Sequence, residues 1–223
     1  MTPLHVAIIP DGNRRWAKAN TLFPWKGHEK GAENFDALVE WCRADGRVGT
    51  LTFWCFSTEN WKRDPKEVAE LMRILEGYLH AKREKLQANK IHLARSGRTD
   101  RIAPHLLQLI EEIDKETAAD PKMTLHVALD YGGQDEVVRA VQKLSSPNEA
   151  SVDSIRAQLD HPELADIDLV IRTSGEQRTS NFFLWQSTYA EWMFAPEFFP
   201  DFGPEKLAAA VNSFSARQRR FGA

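Results

Sequence analysis

Short apolar runs alternate with long stretches of helical periodicity, and this alternation limits the chain to few architectures. The runs fall at residues 6–9, 51–56, 91–94, 125–129 and 169–171, with helical patterns between them at spacings suited to crossover connections. Runs this uniformly apolar read as strands buried on both faces, which is the condition of a parallel sheet. The expected fold is therefore α/β, with a central, mainly parallel sheet of about six strands flanked by helices. No repeat, low-complexity tract or linker interrupts the pattern, and the loosest stretch, 145–150, is too short to separate domains. Residues 1–223 read as a single domain. One helix is marked in detail: Asp64 is placed to cap it, Pro65 fits its first position, and Glu67 completes a capping-box spacing. Val68, Leu71, Met72, Leu75 and Leu79 follow as one apolar stripe. Such a stripe is either core or the wall of a lipophilic channel.

In open α/β sheets, ligands lie beyond the carboxyl ends of the strands, so the polar residues that follow each run are the candidates. The first run leads through Pro10 into Asp11, Gly12 and Asn13, a turn, and then into Arg14, Arg15 and Trp16, which open a helical segment. A strand entering a helix through a Gly-containing turn gathers unpaired N–H groups that suit a phosphate. Asp11 would repel a bare phosphate there, and makes sense if Mg²⁺ lies between them. The plainer alternative is that Asp11 caps the helix. The second run is followed by Ser57, Thr58, Glu59, Asn60, Trp61, Lys62 and Arg63, the fifth by the polar stretch 172–181. In that stretch Arg172, Arg178 and Ser180 offer two guanidinium forks and a hydroxyl for phosphate oxygens. The arginines could instead be solvated, or paired with Glu176 and Asp168. Glu191 stands in an apolar, aromatic stretch, where a carboxylate needs a partner: either a metal shared with Asp11 or an arginine of the crevice.

Composition narrows the class. A 42% hydrophobic fraction and a 27% charged fraction are those of a soluble globular chain. A net charge of −3 gives no basic surface for nucleic acid. No apolar run approaches the roughly 20 residues of a membrane span, and residues 1–4 leave no room for a signal peptide. Cys42 and Cys55 lie in apolar contexts without metal spacing and read as reduced core residues. A cytoplasmic enzyme is the expectation.

Taken together, the clusters resemble the cis-prenyltransferase family, whose best-known members make undecaprenyl diphosphate. The matching segments are H-V-A-I-I-x-D-G-N-x-R-W-A at 5–17, G-H-x-x-G at 27–31, F-S-T-E-N-W-K-R at 56–63, Y-G-G at 131–133 and I-R-T-x-G-E-Q-R-x-S-N-F-x-L-W-Q at 171–186. Y-A-E at 189–191, P-D-F at 200–202 and R-R-F-G at 219–222 extend the match over nearly the whole chain. The resemblance implies a homodimeric α/β enzyme that condenses an allylic prenyl diphosphate with isopentenyl or dimethylallyl diphosphate above a hydrophobic tunnel. It implies Mg²⁺ associated with Asp11 and with Glu191 nearby, and at most transient membrane contact. Gly12, Asn13, Arg14, Arg15 and Trp16 belong to the segment that binds the allylic diphosphate, with His28 beside it. Ser57 and Asn60 help position the reacting groups, and Trp61 and Arg63 lie in the same stretch. Arg172, Arg178 and Ser180 hold the second diphosphate, and Arg220 and Gly222 match a C-terminal R-x-G that reaches the partner subunit's active site.

The chain departs from the family pattern at several points. Pro24 stands where an arginine usually precedes G-H by three residues, and Lys26 could supply a charge but not a fork. Pro10 replaces a methionine, Arg14 a glycine, and Asp130 the asparagine before Y-G-G, which would add negative charge near the crevice. Strand alternation predicts Phe53 and Cys55 on one face and Trp54 and Phe56 on the other, either pair able to narrow a tunnel. These features favour a short-chain product, made by regular cis 1'-4 addition of isopentenyl diphosphate. The alternative is head-to-middle condensation with dimethylallyl diphosphate to a lavandulyl-type diphosphate, as in a small subgroup similar to this family. A third reading, a non-catalytic partner subunit, conflicts with the presence of Asp11, Asn13, Arg15, Arg172 and Arg178.

Overall fold

The computed structural model of the chain describes residues 2–217. Six strands form one sheet: β1 (Leu4–Ile9), β2 (Val48–Ser57), β3 (Ile91–Ser96), β4 (Met123–Tyr131), β5 (Leu169–Arg172) and β6 (Glu191–Phe194). Their order is β3-β4-β2-β1-β5-β6, and every neighbouring pair is parallel. The five apolar runs became β1 to β5. The sixth strand is a four-residue edge element whose residues are all half-buried, so no uniformly apolar run announces it.

The helices are α1 (Asn13–Ala19), α2 (Pro24–Asp45), α3 (Pro65–Ala88), α4 (Pro104–Thr117), α5 (Gly133–Gln142), α6 (Val152–Arg156) and α7 (Pro204–Ala216). Period-2 alternation splits the strand residues between two cores. Val6, Ile8, Leu51, Phe53, Leu125 and Ile171 pack with residues of α2, α3, α4 and α7, among them Leu38, Leu79, Leu106 and Val211. Ala7, Ile9, Ala128 and Val170 face Phe182 and Phe183 on the other side. That second face also buries a polar thread across four strands. His5 Nε2 lies 2.6 Å from Thr52 Oγ1, Thr52 Oγ1 lies 2.9 Å from His126 Nδ1, and His126 Nε2 lies 2.8 Å from Ser96 Oγ. Burial pushes the His126 imidazole well below its usual range, so the thread is built from neutral groups.

Asp64 caps α3 by accepting from the Lys66 N–H at 2.8 Å, as its spacing predicts. Glu67 instead turns its carboxylate to Arg63 at 3.1 Å and Arg14 at 3.7 Å. The alternation expected at 53–56 also needs correction. The register of β2 against β4 shifts around Phe56, as at a bulge, and Phe56 joins Phe53 on the α2–α3 side while Trp54 packs alone toward Phe182.

From β1 the chain passes to β2, β3 and β4 on one side of the sheet, and after β4 it crosses to β5 and β6 on the other side of β1. The strand order therefore reverses at β1, the place where an open α/β sheet leaves a crevice.

Candidate active site

The three loops that follow β1, β2 and β5 do converge. Residues Asp11–Arg15, Ser57, Glu59, Asn60, Arg63, Arg172, Ser180 and Asn181 line one cavity of about 1320 Å³. A smaller apolar recess of about 110 Å³ adjoins it, sharing Pro10, Asn13, His28, Cys55 and Leu71. Phe35, Phe53, Tyr78 and Phe199 enclose that recess. Their rings interlock, with centroids 4.4 Å apart for Phe35–Phe53, 5.2 Å for Phe35–Tyr78 and 5.1 Å for Phe53–Phe199.

Asp11 is the hub of the polar side. Its Oδ1 accepts from the Gly12 N–H at 2.8 Å and Arg15 Nη2 at 3.2 Å, and its Oδ2 accepts from Arg172 Nη2 at 2.9 Å. Burial opposes its ionisation, but the bond and charge of Arg172, with Arg15 and the Gly12 amide, win and hold the carboxyl below its usual range. Asp11 does not cap α1. Gly12 occupies that position at φ 100°, and a Cβ there would lie 2.7 Å from the Phe198 ring. Gly27 is required by contact alone, since its Cβ would fall 2.0 Å from the Asn13 carbonyl oxygen, where α2 crosses the start of α1.

Arg172 is 4% exposed. Its Nη1 donates to the Arg178 carbonyl at 2.6 Å and to Ser180 Oγ at 2.7 Å, while its Nε is buried without a partner. The loop that presents these acceptors is strained: Ser174, Ser180, Asn181 and Phe183 all have positive φ. Two further polar atoms of the crevice, Asn13 Oδ1 and His28 Nε2, are also buried and unpartnered. Burial, aided by the charges of Arg63 and Arg14, lowers the His28 pKa to about 4, so the imidazole is neutral near pH 7.

Other expected residues lie elsewhere. Trp16 donates to Asp201 at 2.9 Å and Trp61 to Asp130 at 2.9 Å; both indoles are used inside the fold and neither lines the cavity. Ser57 and Asn60 reach the rim, where they cap each other across a 3-10 turn at Thr58–Lys62, the Ser57 N–H donating to Asn60 Oδ1 at 3.0 Å. The Arg178 guanidinium sits on the exposed rim, paired with Glu176, which also takes Arg15 at 2.8 Å. Lys26 pairs with Glu29 at 2.7 Å and is not in the cavity wall. Arg14 and Arg63 are in that wall, sharing Glu67. Asp130 is fully buried against Arg101 and adds no charge to the crevice.

Glu191 begins β6, level with Leu169, whereas Asp11 lies beyond Ile9, which is level with Arg172 and Phe194. At about 3.3 Å per residue and 4.8 Å per strand, the two carboxylates are more than about 10 Å apart in one chain. Glu191 pairs with Arg217 at 2.7 Å, so within a single chain it does not share an ion with Asp11. Arg220 and Gly222 lie outside the described residues. Lys18 and Asn181 line the cavity although neither was singled out. Lys18 follows Arg14 by one helical turn, and Asn181 closes the polar cluster after β5, which are the signals that mark them.

Fold and site thus define a parallel α/β enzyme whose crevice joins an arginine-rich mouth to an apolar recess. The chain belongs to the prenyltransferase family described as putative undecaprenyl diphosphate synthase, whose pattern matches residues 9–222. It is 40% identical to an isoprenyl transferase of Aquifex aeolicus over 222 residues, 99% of this chain and 96% of that one. An isoprenyl transferase of Wolinella succinogenes is 41% identical over 219 residues, 98% of this chain and 96% of that one. The crystal structure of lavandulyl diphosphate synthase from Lavandula x intermedia in complex with dimethylallyl diphosphate superposes with a TM-score of 0.92. It shares 34% identity and covers 100% of this chain and 99% of its own. A probable undecaprenyl diphosphate synthase from Campylobacter jejuni gives a TM-score of 0.84 at 29% identity, with both chains covered completely. No helix among the described residues is long and apolar enough to cross a membrane.

Proposed function

We propose that this prenyltransferase joins an allylic prenyl diphosphate to isopentenyl diphosphate by regular cis 1'-4 addition, releasing diphosphate and yielding a short-chain product. The observation that carries the chain length is the recess of about 110 Å³ lined by five aromatic rings, Phe35, Phe53, Phe56, Tyr78 and Phe199. A dry cavity of about 150 Å³ holds one benzene molecule, so this recess takes about one five-carbon unit.

In this reading the allylic diphosphate lies against the Gly12–Asn13 turn, with Arg14 and Arg63 supplying the guanidinium charge that Pro24 cannot. Neutral His28 stands at the junction of the polar and apolar spaces and lets the prenyl tail pass without a buried charge. Arg172 and Ser180 hold the second diphosphate, and Arg178 turns in from the rim by exchanging Glu176 for phosphate oxygens. Holding both substrates in one orientation is positioning catalysis. Among the described residues no group of three or more His, Cys, Asp or Glu side chains could hold a metal alone. Asp11 fits a Mg²⁺ shared with substrate oxygens, since that ion is commonly bound by one or two carboxylates plus phosphates. When bound, such an ion offsets the charge that develops on departing diphosphate. The same reading takes the enzyme as a single-domain cytoplasmic homodimer. The homodimer is supported by the half-buried edge strand β6, with Trp192 and Phe194 stacked 6.1 Å apart.

Head-to-middle condensation with dimethylallyl diphosphate is the second reading, favoured by the 0.92 likeness to lavandulyl diphosphate synthase and by Pro24. Incubating purified protein and Mg²⁺ with dimethylallyl diphosphate alone, then with isopentenyl diphosphate added, separates the two. Product only in the second incubation supports regular addition; a ten-carbon product in the first replaces it with the head-to-middle reaction. No product from either, or activity that survives Asp11→Ala, refutes both.

A further inference from the structure

Asp130, the residue before the last of β4, has a positive φ of 54°, is completely buried, and lines neither the crevice nor the apolar recess. Three N–H donors meet on its carboxylate. Arg101 Nε reaches Oδ2 at 2.9 Å, Arg101 Nη2 closes the fork on Oδ1, and Trp61 Nε1 reaches Oδ1 at 2.9 Å. The Arg101 guanidinium also lies over the Trp61 ring, 5.6 Å from its centroid. Beneath, the indole meets Phe56 edge-on at 5.1 Å. Trp61 is thus gripped on its face, its edge and its nitrogen.

Trp61 belongs to the 3-10 turn Thr58–Lys62, which carries Glu59 and Asn60 to the crevice and leads into Arg63. Among the described residues its other holds are weaker: the Ser57–Asn60 caps are internal to it, Asn181 Nδ2 approaches Glu59 only at 3.5 Å, and Thr58 packs against Gly132. The departure from the family pattern at 130 has a physical reason here. An asparagine has one acceptor oxygen, and its NH₂ would face a donor, whereas a carboxylate has acceptor sites for all three N–H groups. Asp130 and Arg101 therefore suit each other as a pair.

We propose that Arg101 and Asp130 are positioning residues: their buried fork clamps the Trp61 indole and so fixes the turn that delivers Asn60 and Arg63 to the crevice. The catalytic consequence rests on the prenyl-transfer reading; the mechanical one does not. The test uses the full chain and the variants Asp130→Asn, Trp61→Phe, Arg101→Met and Arg101→Lys, with the Asp130→Asn/Trp61→Phe double. Amide hydrogen exchange without substrate is expected to speed up at residues 58–63 by about tenfold or more in each single variant, while α4 and β1 stay protected. With substrates, kcat is expected to fall about tenfold, as misplacement of positioned groups does, and KM for isopentenyl diphosphate to change by less than about twofold. The double variant should be no slower than the slower single, because both changes cut one link. Arg101→Lys, which keeps the charge but not the fork, should recover part of what Arg101→Met loses. If Arg101→Met fails to fold, Trp61→Phe and Asp130→Asn carry the comparison alone. The proposal is overturned if those two leave both exchange and kcat unchanged, or if their effects on kcat multiply. Faster exchange at 58–63 in proteins that make no prenyl product would uphold the clamp and remove the prenyl-transfer reading instead.

Discussion

Phe53→Ala should lengthen the product by one five-carbon unit. Phe53 is 7% exposed on central strand β2, and its ring packs against both Phe35 and Phe199 in the wall of the recess. Removing it adds a space the size of a benzene ring, which needs a cavity of about 150 Å³ when isolated, to the existing 110 Å³. The enlarged recess roughly doubles. The substitution also costs about 3–5 kcal/mol in stability, the usual range for Phe→Ala in a core. That is a large share of a typical total of about 5–15 kcal/mol, so Phe53→Leu, which keeps most of the packing, should accompany it. Purified variants would be checked by circular dichroism and thermal melting, then supplied with a short allylic primer, Mg²⁺ and excess isopentenyl diphosphate. Mass spectrometry of the dephosphorylated products is expected to show wild type stopping at its own length, Phe53→Leu giving a mixture, and Phe53→Ala shifted one unit up. A folded, active Phe53→Ala enzyme with the wild-type product distribution would refute the idea that this aromatic wall sets the length.

Three further outcomes follow from the same geometry. His28 has a folded-state pKa of about 4 against 6.5 unfolded, so the unfolded chain binds more protons between those values and stability falls as pH drops through that window. The loss from pH 7 to 5 is roughly 2 kcal/mol from this group, read as the part of the urea-midpoint shift that disappears in His28→Gln. Arg14→Ala should raise KM for the allylic substrate about tenfold, as loss of a charge-assisted contact of roughly 1.4 kcal/mol would. Lys26→Ala, at a surface pair outside the cavity, should leave steady-state kinetics unchanged.

The sequence made strands β1 to β5 legible because each carries a run of apolar residues that only a two-faced core explains. It concealed β6 because an edge strand needs fewer such residues, and Glu191 opens it. The three polar clusters were readable from the rule that ligands gather beyond carboxyl strand ends. What each side chain does within a cluster depends on rotamer and partner. Trp16 and Trp61 stand in the right segments yet spend their N–H groups on Asp201 and Asp130. The shift at Phe56 reverses the face expected from period-2 alternation, and nothing local in F-W-C-F signals it. The thread from His5 to Ser96 draws on four separate strands, so no linear spacing reveals it.

Each of the five crevice arginines already has an acid: Arg15 and Arg172 have Asp11, Arg15 and Arg178 have Glu176, and Arg14 and Arg63 have Glu67. An anion that visits these arginines therefore displaces an internal carboxylate. Chloride, sulfate or a lone phosphate gains little from that exchange, because the ousted acid is left uncompensated. A visitor that brings several anionic oxygens and its own divalent counterion can satisfy the freed arginines and the freed acid together. This internal pairing thus works as a filter against the small anions that surround the protein.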